Sequence, residues 1–409
     1  MTNKKKEKFD LYYYAGKYII YGFIICAILS YIYTTCTKKL NGDFMAEDVE
    51  LPNWLLLINL IITLLPFLVL KKLYTYFKIK SKKVSKISIN IRFFSQFIYF
   101  LIIWHIFVTI VWGVGKMGSP MYSAPSIVLP FIQFFNRLNP AIIGIIFIFI
   151  CKSKKETLSV CILIIILGIL RAGLGSFIFI AMTLFVKYNK DIIYYIKKRK
   201  ISFLIALFIF PTFVQIMYTL RSNLRSENYG DLENPSVVTL IGGKLIGRLS
   251  SFSNSAIILQ NPAYFAISSQ MLDTYYFQKQ ALAGIIGATH MPNEIPENQL
   301  IKAFEPNAEN VSFMLGTQGN LLMSLYKSPY VFILNSLTII LLITLNFSLA
   351  IRLRFSQSTE FALINMVYCV MSGVANEFTF YLFTTFLVLI IFYLFKIIPN
   401  GKKHIICNK

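Results

Sequence analysis

The sequence predicts an all-α polytopic integral membrane protein with about ten transmembrane helices and one large, mainly helical loop outside the membrane. Of its 409 residues, 56% are hydrophobic and only 14% are charged, whereas a soluble domain carries roughly a quarter charged residues. Apolar runs of the length of a bilayer recur along most of the chain. Lysines and arginines cluster at the ends of these runs, so the net charge of +22 indicates cytoplasmic loops and no nucleic-acid partner.

The apolar runs define ten spans in chain order. They cover residues 18–35, 54–70, 93–113, 131–151, 157–170, a second arm that ends at 186, 201–220, 330–351, 361–374 and 380–394. The segment 71–92 holds eight basic residues and no acid, which is the strongest cytoplasmic marker in the chain. Three regions follow: an N-terminal membrane bundle (1–220, about seven spans with a short hairpin at 157–187), a large periplasmic loop (221–327), and about three C-terminal spans with a cytoplasmic tail (328–409).

The hairpin at 157–187 decides the orientation of everything after it. The sequence Arg171-Ala-Gly-Leu-Gly-Ser interrupts this otherwise apolar stretch. Read as a hairpin, the stretch leaves most of the basic residues near membrane ends on one side, whereas a single span divides them about evenly. We therefore predict two short helices, cytoplasmic N- and C-termini, and an Arg171 that lies below the outer surface and faces the bundle interior. Because an intramembrane arginine is costly, it indicates a functional partner.

The predicted periplasmic loop opens with a pair of arginines and contains a second basic pair. Arg221 and Arg225 are four residues apart, as are Lys244 and Arg248, so each pair shares one face of a helix. Helical spacing extends over 238–260, and an amphipathic stretch at 304–326 is expected to lie along the membrane surface. The planar guanidinium suits phosphate oxygens, so we predict that Arg171, Arg221, Arg225 and Arg248 bind a pyrophosphate.

A general base is the second requirement for transfer from an activated, pyrophosphate-linked substrate. His290 is the one histidine predicted to lie outside both the membrane spans and the cytoplasmic tail, and it lies in a turn-like sequence. Histidine titrates near neutral pH, so His290 is the predicted base. The loop also holds eight acidic residues, among them Glu294, Glu297 and Glu305, and any of these could serve if buried.

Several kinds of chemistry have no support in the sequence. The six cysteines lie in or near predicted spans or in the tail and form neither a disulfide framework nor a zinc motif. No glycine-rich phosphate loop, GxSxG or HExxH motif occurs. We therefore predict an enzyme without metal or cofactor, driven by its activated substrate.

The chain resembles the O-antigen polymerases, which join oligosaccharide repeat units in bacterial envelopes. The resemblance lies in the ten-odd spans, the Arg171 hairpin, and Arg221 and Arg225 at the start of one dominant outside loop; the regular arginine-to-glycine motif of some members is not found. It implies a multi-pass protein of the bacterial inner membrane that polymerises undecaprenyl-pyrophosphate-linked glycans on the periplasmic face. The implied partners are those glycans and the lipid bilayer, with a chain-length regulator as the candidate protein partner.

Three other functions fit parts of the pattern. An O-antigen ligase shares the architecture and differs in its acceptor. A glycosyltransferase that uses lipid-phosphate sugars would place an acid in the first outside loop, where Asp43, Glu47 and Asp48 are found. A lipid-linked-glycan flippase or other transporter typically has repeated halves, and none is evident in this sequence.

Overall fold

The computed structural model of the protein describes residues 15–45, 47–85, 91–116, 124–171, 173, 175–229, 239–287, 291–304 and 314–394. Within these ranges the chain forms helices and no strand, and an isolated antiparallel bridge joins Lys39 to Asp48. Helices satisfy backbone hydrogen bonds within one segment, as a lipid environment requires. The helical membrane class that composition predicts is therefore confirmed.

The helices fall into three groups along the described part of the chain. Before the loop come α1 (Ala15–Thr37), α2 (Asn53–Ser81), α3 (Ile91–Trp112), α4 (Leu129–Asn136), α5 (Pro140–Ile150), α6 (Lys154–Leu170), α7 (Gly175–Lys198) and α8 (Lys200–Tyr229). The loop contains a π-helix (Thr239–Leu245), α9 (Ile246–Ser250), α10 (Phe252–Gln260), α11 (Pro262–Gln270), α12 (Tyr276–Ile286), α13 (Pro296–Lys302) and α14 (Gly316–Lys327). After it come α15 (Pro329–Arg352), α16 (Ser358–Ser372) and α17 (Ala375–Leu394).

Each predicted span coincides largely with a helix or, for 131–151, with the pair α4–α5, but the helices differ in length. Five of them, α1, α2, α3, α15 and α17, are long and apolar enough to cross a membrane. The pairs α4–α5 and α7–α8, bent by 47° and 107°, bring the number of described candidates to seven if each pair is one span. Helices α6 and α16 have 17 and 15 residues, and at about 1.5 Å per residue they fall short of a hydrocarbon core of about 30 Å. The count of ten spans stays a prediction.

A buried ion pair marks one end of the bundle. Lys78 at the end of α2 lies 2.5 Å (Nζ–Oε1) from Glu360 at the start of α16, and both side chains are less than a tenth exposed. The Tyr74 hydroxyl donates to the same carboxylate oxygen at 3.1 Å, and Thr359 donates to the other at 2.9 Å. We call this end, where α2 and α15 finish, the tail side, and the opposite end, where α1 finishes and α15 begins, the loop side.

The chain breaks between α6 and α7, where the sequence analysis places the hairpin. Close contact of Gly168 with Ser176 at the turn leaves no room for a larger side chain. Thirty residues apart in sequence, Lys187 and Thr157 meet at the other end, where Lys187 Nζ donates to Thr157 Oγ1 at 3.1 Å. The two helices are therefore antiparallel. The Lys187 ammonium also donates to the Ile148 and Cys151 carbonyls at 2.6 and 2.7 Å and so caps the C-terminus of α5.

The first short loop helices pack between the membrane helices. Ser30 of α1 and Ser250 of α9 are joined by a buried hydrogen bond of 2.9 Å. Asn59, in the second turn of α2, donates to the Phe252 carbonyl at 2.9 Å. The described residues 239–260, for which helical spacing is predicted, form the π-helix, α9 and α10, and Ser251 adopts a left-handed backbone (φ 53°) that separates α9 from α10.

Helix α14 is buried, contrary to the expectation that 304–326 lies along the membrane surface. Gly316, Thr317, Asn320 and Ser324 are among its buried residues. These small and polar side chains allow close helix contact, and the Asn320 amide donates to the Gly373 carbonyl at 3.2 Å. The amphipathic pattern was correct in periodicity, but its polar side faces other polar groups inside the protein instead of water.

Helix α12 runs beside the membrane helices α15 and α17. Gln278 donates to Asn335 and Thr338 of α15 at 3.0 and 2.9 Å. Thr379 of α17 donates to the Ala281 carbonyl at 2.5 Å. Gly284 lies against α17 so closely that an added Cβ would clash with its backbone. This part of the predicted outside loop therefore lies alongside the membrane helices.

Candidate functional site

A cavity of about 290 Å³ lies between the α4–α5 bend, α12 and the start of α17, and most of its surface is apolar. Its lining residues are Arg137, Ala283, Gly284, Gly287, Met291, Asn376, Glu377 and Phe380. We call it the Arg137 cavity. A larger cavity of about 330 Å³ is lined by Ile285 of α12 and by residues of α15 and α17, among which Arg352 is charged. Because it holds a cation, an amide and a carboxyl group together, the Arg137 cavity is the candidate functional site.

Arg137 is placed at the bend between α4 and α5. Asn139 caps α5 by accepting from the backbone N–H of Ala141 at 2.9 Å, and Pro140 follows as its first residue, so the sequence restarts the helix at a new angle. The Arg137 Nη1 donates to the Gly284 carbonyl at 2.9 Å. Thr384, the tenth residue of the twenty in α17, donates to the Arg137 carbonyl at 3.0 Å. Arg137 is therefore level with the middle of a membrane helix.

Glu377 occupies another wall of the same cavity. It lies in the first turn of α17, directly after the turn in which Gly373 adopts φ 73°, a conformation that favours glycine. The Ser372 hydroxyl donates to Glu377 Oε2. Within the described residues neither Glu377 nor Arg137 forms an ion pair, although both line one cavity.

Glu297 of α13 is a second acid near this region, and it is buried at 1% exposure. Gln280 donates to its two carboxylate oxygens at 3.3 and 3.4 Å. Burial raises the pKa of Glu297 to about 7, with Gln280 acting in the opposite direction. The Gln280 carbonyl oxygen accepts from the Ala375 backbone N–H at 3.3 Å, so one amide joins Glu297 to the start of α17.

Arg171 contacts α3 near the loop side. Its Nη2 lies 2.8 Å from His105 Nδ1, and its Nε donates to Thr109 Oγ1 at 3.1 Å. Arginine can only donate, so His105 Nδ1 accepts, and the proton on Nε2 is donated to the Phe135 carbonyl at 3.1 Å. Arg171 has no carboxylate partner among the described residues. Through His105, it is connected to the α4 turn that carries Arg137.

Arg248 has a different environment. Its guanidinium forms an ion pair with Asp43 of the first loop, and Nε lies 2.5 Å from Asp43 Oδ1. Lys244 donates to the Tyr218 hydroxyl of α8 at 2.8 Å. The structure describes no contact between Arg171 and Arg248. Arg221 and Arg225 belong to α8, and their side chains lie outside the description.

His290 lies outside the described residues, so its predicted role as the base stays a prediction. The described residues on either side, Gly287 and Met291, line the Arg137 cavity. Of the other loop acids considered as bases, Glu305 is also outside the description, and Glu294 is paired with Lys302 at 2.8 Å and about a third exposed. Among the described residues there is no group of three His, Cys, Asp or Glu side chains suited to a metal ion.

Sequence reasoning did not assign Arg137, Glu377 or His105 to a site. Arg137 reads as a membrane anchor beside Asn-Pro, Glu377 as a turn residue and His105 as a residue within a span. The one sequence feature that points to these residues is general: ionisable residues within membrane segments often mark functional sites. The partners of Arg137 and His105 are distant in sequence, so the spacing of residues could not reveal them.

No protein-family model, no curated protein and no solved structure matches the chain.

Proposed function

We propose that the protein is a membrane glycosyltransferase of the O-antigen polymerase type, which joins undecaprenyl-pyrophosphate-linked repeat units on the periplasmic face of the inner membrane. The helical membrane bundle is the framework for this proposal. Both substrates would be anchored in the bilayer by their polyprenyl chains, so the reaction has to take place close to the membrane.

The observation that carries the proposal is the way the loop helix α12 enters the bundle. Gly284 and Gly287 of this loop build one wall of the Arg137 cavity, and Arg137, Asn376 and Glu377 of membrane segments contribute its polar side chains. A site of this kind partly shields the reacting groups from water while it stays next to the lipid. Such shielding strengthens electrostatic stabilisation of a leaving pyrophosphate.

Within this proposal the predicted arginines bind the donor pyrophosphate. Arg171 has neutral partners in His105 and Thr109, so its charge is free to act on an anion. Arg248 would exchange its contact with Asp43 for a phosphate, and Arg221 and Arg225 complete the predicted set. For the base there are two loop candidates, His290 and the buried Glu297, whose pKa of about 7 suits proton transfer near neutral pH.

Deletion of the gene tests the proposal against its alternatives. A polymerase deletion removes the long glycan ladder on the cell surface and retains a single repeat unit. Loss of all repeats contradicts the proposal and indicates a ligase or a flippase. The flippase has one observation in its favour, because Arg137 is level with the middle of a membrane helix, where transporters place their sites.

The compartment is tested separately with topology reporters. A reporter fused after Lys200 should report the cytoplasm, and one fused after Gln260 should report the periplasm, as the distribution of basic residues predicts. If the two results are exchanged, the hairpin at Arg171 does not reverse the chain across the membrane, and the predicted periplasmic loop and cytoplasmic C-terminus are wrong. If both reporters lie on one side, α8 does not cross the membrane.

A further inference from the structure

The Arg137 cavity contains a guanidinium group and a carboxyl group that do not form an ion pair with each other. Each ion pair in the described part of the chain brings its nitrogen and oxygen within 4 Å, as Lys78 and Glu360 do. Arg137 and Glu377 line the same cavity without such a contact. Both are partly buried in a membrane bundle, where a charge is costly unless it serves a purpose.

Both groups are held in place by packed helices. Arg137 uses Nη1 for the Gly284 carbonyl, and its backbone carbonyl is bonded to Thr384. Ser372 donates to one oxygen of Glu377. Each group therefore keeps hydrogen-bonding capacity that no described residue uses, since a guanidinium has five N–H donors and a carboxylate has two acceptor oxygens. Asn376 lines the cavity beside them and has both a donor and an acceptor.

We propose that the Arg137 cavity is where the two substrates meet, with Arg137 and Asn376 bound to an oxygen of the donor pyrophosphate and Glu377 as the group that takes the proton of the attacking sugar hydroxyl. This inference rests on the proposed function and deepens it. The arrangement suits a sugar diphosphate, because the cation matches the phosphate and the carboxylate matches a hydroxyl. The volume of about 290 Å³ is at the lower end for a ligand site, so it fits a head group and leaves the remaining glycan outside.

The step balances without a further reactant. The acceptor hydroxyl oxygen forms a new bond to the anomeric carbon of the donor sugar, and the bond from that carbon to the pyrophosphate oxygen breaks. Its electron pair leaves with the polyprenyl diphosphate, whose growing charge is stabilised by Arg137. The proton of the hydroxyl passes to the Glu377 carboxylate. In this scheme Glu377 is the catalytic base in place of the loop candidates His290 and Glu297, and Gln280 and Ser372 are positioning residues.

The test uses the purified full chain in lipid vesicles with lipid-linked repeat units. Glu377→Gln should lower kcat by about 10²–10⁴-fold with little change in KM, since general base catalysis contributes that range. Glu377→Asp should retain part of the rate and show a shifted pH profile. Arg137→Lys should raise the donor KM at least tenfold and weaken binding of undecaprenyl diphosphate alone, measured by thermal stabilisation. The matched controls are Asp273→Asn, an exposed acid, and Arg92→Lys, an exposed arginine.

The outcomes separate this inference from the function itself. If the wild-type protein extends glycans and both Glu377 variants keep kcat within twofold, the Glu377 assignment is wrong and the function stands. If Arg137→Lys leaves donor KM and diphosphate binding unchanged, the Arg137 assignment is wrong. If the wild-type protein binds undecaprenyl diphosphate through Arg137 but extends no glycan, the binding site stands, and both the polymerase function and the role of Glu377 are overturned.

Discussion

The bundle contains two pairs of a basic and an acidic side chain, and they differ in whether the two side chains form an ion pair. On the tail side, Lys78 and Glu360 touch, and Tyr74 and Thr359 complete the hydrogen bonding of the carboxylate. Arg137 and Glu377 both line the Arg137 cavity and do not form an ion pair. An ion pair whose groups bind each other holds helices together, whereas polar groups that are kept apart stay available to a ligand. We therefore assign a structural role to the first pair and a functional role to the second.

The largest expected effect on stability comes from breaking the tail-side pair. Glu360→Gln should destabilise the protein by about 3–5 kcal/mol, because Lys78 is then left buried without its counter-charge. Glu377→Gln should cost less than about 1 kcal/mol, since an amide can still accept from Ser372. Thermal unfolding of the two variants in detergent measures both. Equal losses of stability would contradict the distinction between the pairs.

The next largest effect on stability is expected at Glu297, and it depends on pH. Its pKa is raised to about 7 in the folded protein against about 4.5 in an unfolded chain, so it favours folding when protonated. Its contribution is complete below pH 4.5 and is lost as the pH rises through 7. By linkage this difference is worth roughly 3 kcal/mol. Glu297→Gln should therefore gain stability relative to the wild type between pH 5 and 8.

The measurement for Glu297 is the difference in unfolding midpoint between wild type and Glu297→Gln as a function of pH. Taking the difference removes the contribution of groups present in both proteins, Glu377 and Tyr276 included. A difference that stays constant from pH 5 to 8 would show that Glu297 titrates in its ordinary range. The same series of buffers, used for activity, shows whether the rate follows this titration.

On the loop side, replacing Arg171 or Arg248 by lysine is expected to change stability by smaller amounts. Arg171→Lys cannot keep both hydrogen bonds to His105 and Thr109 and should lose about 1.5–3 kcal/mol. Arg248, about a third exposed beside Asp43, should lose at most about 1 kcal/mol on the same change. Unfolding midpoints give the stabilities, and donor KM shows whether each residue binds the pyrophosphate. Unchanged donor KM in both variants, at normal protein levels, would contradict the predicted arginine site.

The coarse fold could be predicted from sequence because it follows from local chemistry. Apolar runs mark helices, and the interruption at Arg171 coincides with the break between α6 and α7. The entry of α12 into the bundle could not be predicted in the same way. Gln278 and Gln280 are polar residues of a kind that is usually exposed to water. The partner of Gln278, Asn335, is 57 residues away, and the partner of Gln280, Glu297, is one of several acidic residues in the loop.

The site was only partly predictable for a related reason. Arg171 was recognised because an arginine in an apolar stretch stands out by itself. By sequence alone Arg137 resembles a membrane anchor, because its partner Gly284 follows 147 residues later. Glu297 was one of eight equivalent loop acids until burial distinguished it. Pairing across the bundle is a property of the three-dimensional packing and has no periodic signal in the chain.

The central claim is tested most directly by one reaction. Purified protein in vesicles is supplied with undecaprenyl-pyrophosphate-linked repeat units and a metal chelator, and the products are separated by size. The account predicts glycans of two and more repeat units, together with released undecaprenyl diphosphate, and a rate that falls at least a hundredfold in Glu377→Gln. Wild-type protein that binds these lipids but leaves every repeat unit single would contradict it.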